Sequence, residues 1–157
     1  MPDNKLDFTI IFPPDIKIVS VNSQYEPKHA KGGKIIGFYL NPDVAKMMKF
    51  IQTAMKAQGL KKTDIPNNWG LFRVDYLFIF KENIFKRDVD NCCKHAQDAI
   101  FRYFGRNDAQ ILEFTARKYL NPSAEFESIK CVIEGLGSDS RLYNLDLLLK
   151  STQPEVK

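Results

Sequence analysis

The run at residues 71–80, Leu-Phe-Arg-Val-Asp-Tyr-Leu-Phe-Ile-Phe, is the strongest constraint on how this chain folds. A stretch so rich in aromatic and aliphatic side chains suits the middle of a sheet, where both faces and both edges are covered. It therefore needs neighbouring strands. Residues 6–12 supply one, stopped by Pro13-Pro14, and residues 111–120 and 126–134 supply two more, joined by the turn Asn121-Pro122-Ser123-Ala124. Two helices are expected between them. Asn41-Pro42 is a cap followed by a proline in the first turn, and Val44, Met47, Met48, Ile51 and Met55 then recur at helical spacing up to Gly59. A second helix is expected over residues 91–104, closed by Gly105. Residues 15–34 read as a basic, glycine-containing loop with a short extended piece at 16–19, and a short C-terminal helix is expected near 142–150. The predicted order is β-α-β-α-β-β-α, an α+β single domain with a mixed sheet and helices packed on one face.

A chain of 157 residues with 44% hydrophobic side chains can build one core of this kind. Its longest apolar runs, such as 76–80 and 145–149, are too short to span a bilayer, and no apolar segment follows the first charges as in a secretory signal. No membrane association and a cytoplasmic location, in a bacterial cell or the host of a phage, are the expectation. The three cysteines agree with it. Cys92 and Cys93 are adjacent, Cys131 stands apart, and an odd set without C-x-x-C spacing implies neither a disulfide framework nor a zinc site with His29 or His95.

The net charge of +4 is unevenly spread. Between Lys17 and Lys62 there are nine lysines against Glu26 and Asp43, so the remainder of the chain is mildly acidic. Such a division suits a protein that holds a polyanion on one surface and metal ions on another, and equally suits a lysine-rich solvated face.

The segment Arg87-Asp88-Val89-Asp90-Asn91-Cys92-Cys93-Lys94 opens the second helix. At 100° per residue, Cys93, Ala96, Ile100, Tyr103 and Phe104 fall on one arc, while Asp90, Lys94 and Asp98 line up on another. One reading is structural: Asp88 and Asp90 cap the helix and Lys94 pairs with its acidic neighbours one turn away. The other is catalytic. After the helix, Gly105-Arg106-Asn107-Asp108-Ala109-Gln110 forms a turn before the strand at 111, and Asp108 can return to the helix start if that strand lies beside 71–80. Converging carboxylates require a cation, and oxygen ligands without thiolate or imidazole select Mg²⁺, with Mn²⁺ able to substitute.

The run Arg87-Asp88-Val89-Asp90-Asn91-x-x-Lys94-x-x-x-Asp98-Ala99-Ile100, followed by Asn107-Asp108-Ala109-Gln110-Ile111, resembles the signature of the RusA family of Holliday junction resolvases. That family carries R-D-x-D-N-x-x-K-x-x-x-D-A-[LI] and then D-D-x-Q-[VI]. A looser likeness extends through Pro13-Pro14 and Ser20-Val21-Asn22-Ser23-Gln24-Tyr25. Asn107 departs from the first acid of the turn, residues 15–19 are an insertion, and nothing beyond about residue 135 has a counterpart. The resemblance implies a nuclease domain over residues 1–135, with residues 136–157 a C-terminal extension. It implies that Asp88, Asp90 and Asp108 are the metal-binding and catalytic carboxylates and Lys94 the catalytic lysine. It further implies Mg²⁺-dependent endonucleolytic hydrolysis at four-way or other branched DNA in recombination and repair. The same resemblance implies symmetric nicks that leave a 5′-phosphate and a 3′-hydroxyl, made by a homodimer. Lys28, Lys31, Lys34 and Arg87 are the expected phosphate contacts, with Asn22 near the site's rim. Two alternatives fit less of the pattern: a non-catalytic branched-DNA binding protein, for which the basic segment suffices, and a small structural domain whose acids only cap a helix.

Overall fold

The computed structural model describes residues 4–20 and 25–136. Its main sheet has four strands, β1 (Lys5–Phe12), β4 (Phe72–Phe80), β5 (Ile111–Leu120) and β6 (Glu127–Gly135), in the spatial order β1-β6-β4-β5. β6 is antiparallel to both β1 and β4, whereas β5 is parallel to β4. The hydrophobic run read as a central strand is indeed β4, flanked on both sides. A parallel neighbour demands a crossover, and helix α2 (Val89–Phe104) makes it. Helix α1 (Pro42–Ala57) packs beside α2 and begins as its sequence dictates, with the Asn41 side chain accepting from the Asp43 and Val44 backbone N–H groups.

The core lies between this helix layer and one face of the sheet. Phe72, Val74, Tyr76, Phe78 and Phe80 are all buried, while the residues between them are only half-buried, so β4 alternates as a one-sided strand despite its composition. Rings carry much of the contact: Phe72 meets Phe101 edge-on at 5.5 Å between centroids, Phe8 meets Phe104 at 6.2 Å, and Phe12 meets Phe50 at 5.1 Å. The other face of the sheet is ionic near the start of β4 and apolar toward its end, where Leu77 and Ile79 line a shallow depression with Tyr119. At the ionic end Arg73 bonds Glu113 at 2.7 Å and Glu134 at 3.4 Å, and Thr115 donates to Asp75. The architecture is α+β, as expected.

Two expectations change. The segment read as a loop holds a β-hairpin, β2 (Tyr25–His29) with β3 (Ile35–Leu40), forming its own two-stranded sheet. The signal was present in Gly32-Gly33, whose φ angles of 98° and 85° supply the tight reversal between two short runs. The buried side of α2 is also wider than the arc drawn from the sequence, because Cys92, His95, Ala99 and Phe101 join it under the sheet. The expected C-terminal helix near 142–150 lies outside the described residues, as does Asn22. Among the described residues no helix is long and apolar enough to cross a membrane.

Gly135 closes β6 against the indole of Trp69. A methyl group on Gly135 would stand 2.3 Å from two of its ring carbons, a distance no packed core accommodates. We expect Gly135→Ala to lower stability by about 1–3 kcal/mol, the usual range for overpacking. Urea unfolding should show a lower midpoint at an unchanged slope.

Candidate active site

The stretch between β4 and α2 is held from three directions. Asn83 takes a left-handed conformation at φ 56°, which asparagine tolerates, and Ile84–Lys86 follows as a single 3-10 turn. Lys118 of β5 reaches under it and donates to the carbonyl oxygens of Ile84 and Arg87, both at 2.8 Å. The Arg87 guanidinium forms two parallel bonds to the Glu127 carboxylate, 3.0 and 3.1 Å, and lies 4.6 Å over the Phe80 ring. Both side chains of that pair are mostly buried. Arg87 and Lys118 also lie near Cys92. Burial pushes the Cys92 thiol up to about 12 against the pull of these two cations.

Asp88 occupies the cap position of α2, yet its side chain makes no capping bond. Asp90 is the acid of the first turn and Lys94 lies one turn on, both exposed. None of the salt bridges among the described residues involves Asp88, Asp90, Lys94 or Asp108. The structural reading of this segment required caps and i,i+4 ion pairs. Neither is made, so these groups remain turned to solvent and uncommitted.

The second part of the motif is organised by its amides. The Asn107 side chain accepts from the Ala109 N–H at 2.9 Å, the backbone N–H of Asn107 donates to Gln110 Oε1, and Gln110 Nε2 donates to the Gly70 carbonyl at 2.9 Å. Asn107 thus does structural work where the family pattern has an acid, and Gln110 ties the turn to the start of β4. Asp108 is left exposed between them.

The structure separates Asp108 from the other acids. β5 does lie beside β4, as the sequence argument required, but it runs parallel, with Ile111 opposite Phe72 and Leu120 opposite Phe80. The turn carrying Asp108 is therefore at the end of the sheet where β4 begins, not where it leads into α2. Asp108 lines a cavity with Asp98, Phe101, Arg102 and Asn107 along the second half of α2. About 12 Å of helix separates Asp90 from Asp98 at 1.5 Å per residue. Among the described residues no three of His, Cys, Asp or Glu stand close enough together to hold a metal ion. The carboxylates of one chain thus do not by themselves fit a divalent cation.

The N-terminal part of the pattern does converge on the loop before α2. Ser20, Lys17, Asn83, Lys86 and Arg87 line a cavity of about 320 Å³, and Pro13, Pro14, Lys81, Arg87 and Glu127 share a neighbouring one of about 410 Å³. The family model of endodeoxyribonuclease RusA matches residues 18–127, most of the chain, from the segment before β2 through β5 to the first residue of β6. The chain belongs to the RusA family. RusA proteins are endodeoxyribonucleases of Holliday junctions, which places this chain among nucleases of branched DNA. A search of curated proteins finds no match.

Within this RusA chain, Lys28, Lys31 and Lys34 are exposed on the β2–β3 hairpin and its tip. Arg87 is instead committed to Glu127, so it holds the loop before it can hold DNA. Sequence reasoning missed Lys118 and Glu127, which carry no local motif and reach the loop only through the sheet. It also missed Phe85, whose side chain is 95% exposed three residues before Asp88.

Proposed function

We propose that this chain resolves four-way DNA junctions by phosphodiester hydrolysis, making symmetric nicks that leave a 5′-phosphate and a 3′-hydroxyl. The observation that carries the proposal is the exposed, uncommitted trio Asp88, Asp90 and Lys94 at the start of α2 in a chain of the RusA family. Asp88 and Asp90 can accept hydrogen bonds from a water and orient it toward phosphorus. Lys94, one turn further on, can offset the negative charge that grows on the phosphate oxygens. We propose Mg²⁺, replaceable by Mn²⁺, as the cofactor, because Asp88, Asp90 and Asp108 are all hard oxygen donors; the three would hold it only once a second subunit brings its own Asp108 beside the first two. The protein acts as a homodimer, whose two-fold symmetry matches two symmetric nicks.

The hairpin is the proposed DNA-holding element. A two-stranded ribbon is marginal on its own in water, and this one presents Lys28, Lys31 and Lys34 beside exposed Ile36 and Phe38. Phe85 is placed to stack on a base exposed at the branch. Each of Lys28→Ala, Lys31→Ala and Lys34→Ala should weaken junction binding and lower the slope of log K against log salt by about 0.9. Fluorescence anisotropy across a salt series measures both effects.

The deciding experiment is cleavage of a labelled four-way junction, with cut positions mapped, in Mg²⁺, Mn²⁺ and EDTA. Paired cuts in either metal and none in EDTA are expected. Tight binding with no cut in either metal would leave a branched-DNA binding protein in place of the enzyme.

A further inference from the structure

The helices cover one face of the sheet, and among the described residues one corner of the other face is bare. Strand register puts Ile11, Ser128, Ile79 and Tyr119 in one row across that face, and Thr9, Lys130, Leu77 and Arg117 in the next. Ile11 and Tyr119 are 57% and 54% exposed. Leu77, Ile79, Tyr119 and Leu120 line a depression of about 370 Å³ together with Arg117 and Asn121. The strands beneath it, β4 and β5, are the parallel pair of the sheet. Parallel strands occur almost only where both faces are covered. The opposite end of this face is settled within the sheet, because Arg73 pairs with Glu113 and Glu134. Lys130 likewise pairs with Asp7 at 3.3 Å, whereas Arg117 enters no salt bridge among the described residues.

A segment of the same chain has the composition to fill this corner. Residues 142–149, Leu-Tyr-Asn-Leu-Asp-Leu-Leu-Leu, hold five leucines and a tyrosine. At helical spacing Leu142, Leu145, Leu148 and Leu149 fall on one stripe about 120° wide, with Asp146 at its margin. Reach then selects the place. Gly135 lies opposite Phe72, and the Leu136 N–H donates to the Leu71 carbonyl at 2.9 Å, so the chain leaves the sheet where β4 begins. The row of Asp75 is about 13 Å back along the sheet from Leu71. The polar run 137–141, Gly-Ser-Asp-Ser-Arg, gives six steps from Leu136 to Leu142 and spans up to about 20 Å. That length includes enough chain to reverse direction at Gly137. Eight helical residues are about 12 Å long, so a segment entering at the row of Asp75 passes over Leu77 and ends at Ile79 and Tyr119. Asp146, about 6 Å along it, comes level with Arg117.

We infer that residues 142–149 pack along the outer face of β4 and β5, over Leu77, Ile79 and Tyr119, with Asp146 paired to Arg117. The domain then has three layers, helices, sheet and this segment, and its parallel pair is covered on both sides. The family match ends at residue 127 and assigns the segment no place. The inference stands apart from the nuclease reading and survives the loss of it. A second copy of the chain is the poorer occupant. A stable contact between chains needs about 800 Å² from each partner, and this corner is two strands wide. A tethered segment, by contrast, is present at an effective concentration on the order of millimolar.

Two measurements on the full chain test it. The first is the rate at which N-ethylmaleimide labels Tyr119→Cys, against Thr53→Cys at an exposed position of α1. Cys92, Cys93 and Cys131 are buried, so a folded chain takes one label. Tyr119→Cys should label at least tenfold more slowly than Thr53→Cys. Adding Leu145→Asp/Leu148→Asp should bring the two rates within twofold, with one label still counted by mass. Equal rates without the aspartates overturn the inference, and so does protection that survives them. Protection that fades on dilution overturns it in favour of a second copy. The second measurement needs no disruptive variant. Tyr119→Cys is combined in turn with Leu142→Cys, Leu145→Cys and Leu148→Cys, and each protein is mildly oxidised. At least one pair should form a disulfide within a single chain, seen as a linked peptide from a monomer band. Thr53→Cys combined with the same three positions should stay reduced. Reduced monomer throughout, a covalent dimer, or equal linking to position 53 refutes the inference, even if the aspartate variant fails to fold.

Discussion

Asp90→Asn should abolish junction cleavage while leaving junction binding intact. The substitution keeps shape and size and removes one negative charge from the exposed first turn of α2. Its structural cost is small: loss of one favourable charge at a helix N-terminus is worth about 0.3–1 kcal/mol. Its chemical cost is large, because an amide is a far weaker base and a poorer cation ligand than a carboxylate. We expect a fall in single-turnover cleavage on the order of 10³-fold, the range for removing a general base or a charged group poised on the transition state. Affinity should be unchanged or tighter, since an acid beside a polyanion opposes binding. Rates measured with enzyme saturating over junction, alongside anisotropy and a thermal melt, separate the three effects. A variant that melts with wild type and cuts at more than a tenth of the wild-type rate would remove Asp90 from the chemistry.

Much of this fold was legible in the sequence because its signals are local. The Asn41-Pro42 cap, the methionine spacing of α1, the Gly105 stop at φ 68° and the apolar run of β4 each fix an element within a few residues. The β2–β3 hairpin was missed because its lysines and glycines resemble those of a loop, although Gly32-Gly33 marked the turn. The candidate site was legible in a different way. Asp88, Asp90 and Lys94 lie within two turns of one helix, so helical geometry alone groups them. Asp108 is joined to them only by a pattern of identities, and a pattern does not state where in the fold each residue falls. The direction of β5 puts Asp108 at the far end of α2, and direction comes from sheet pairing over about forty residues of separation, which no local motif encodes. The same distance hid Lys118 and Glu127. Each looks like an ordinary strand residue until β5 and β6 bring it to the loop.

Lys118→Met should slow cleavage by about 10²-fold without weakening junction binding, the cost expected when reacting groups are displaced by about 1 Å. The substitution keeps an unbranched stem against the sheet and removes the ammonium that bonds the Ile84 and Arg87 carbonyls at 2.8 Å. Those two carbonyls bracket the turn that delivers Asp88, so their release loosens the residue that opens the site rather than the site's own chemistry. The Arg87–Glu127 pair still anchors the loop through a side chain, which is why a slowed enzyme is expected and not a dead one. Losing hydrogen bonds from a charged donor to part-buried acceptors costs about 1 kcal/mol, so the melting temperature should fall modestly as well. Three roles for Lys118 then give three different patterns. As a DNA contact it would raise Kd and reduce the salt slope. As a purely structural lysine it would lower the melting temperature and leave the saturated cleavage rate per folded molecule unchanged. As the positioning residue argued for here, it lowers the saturated rate at unchanged Kd, and Lys118→Arg, which can still donate to both carbonyls, recovers most of the loss. An unchanged saturated rate for Lys118→Met would show that Asp88 is held in place by Glu127 and the helix alone.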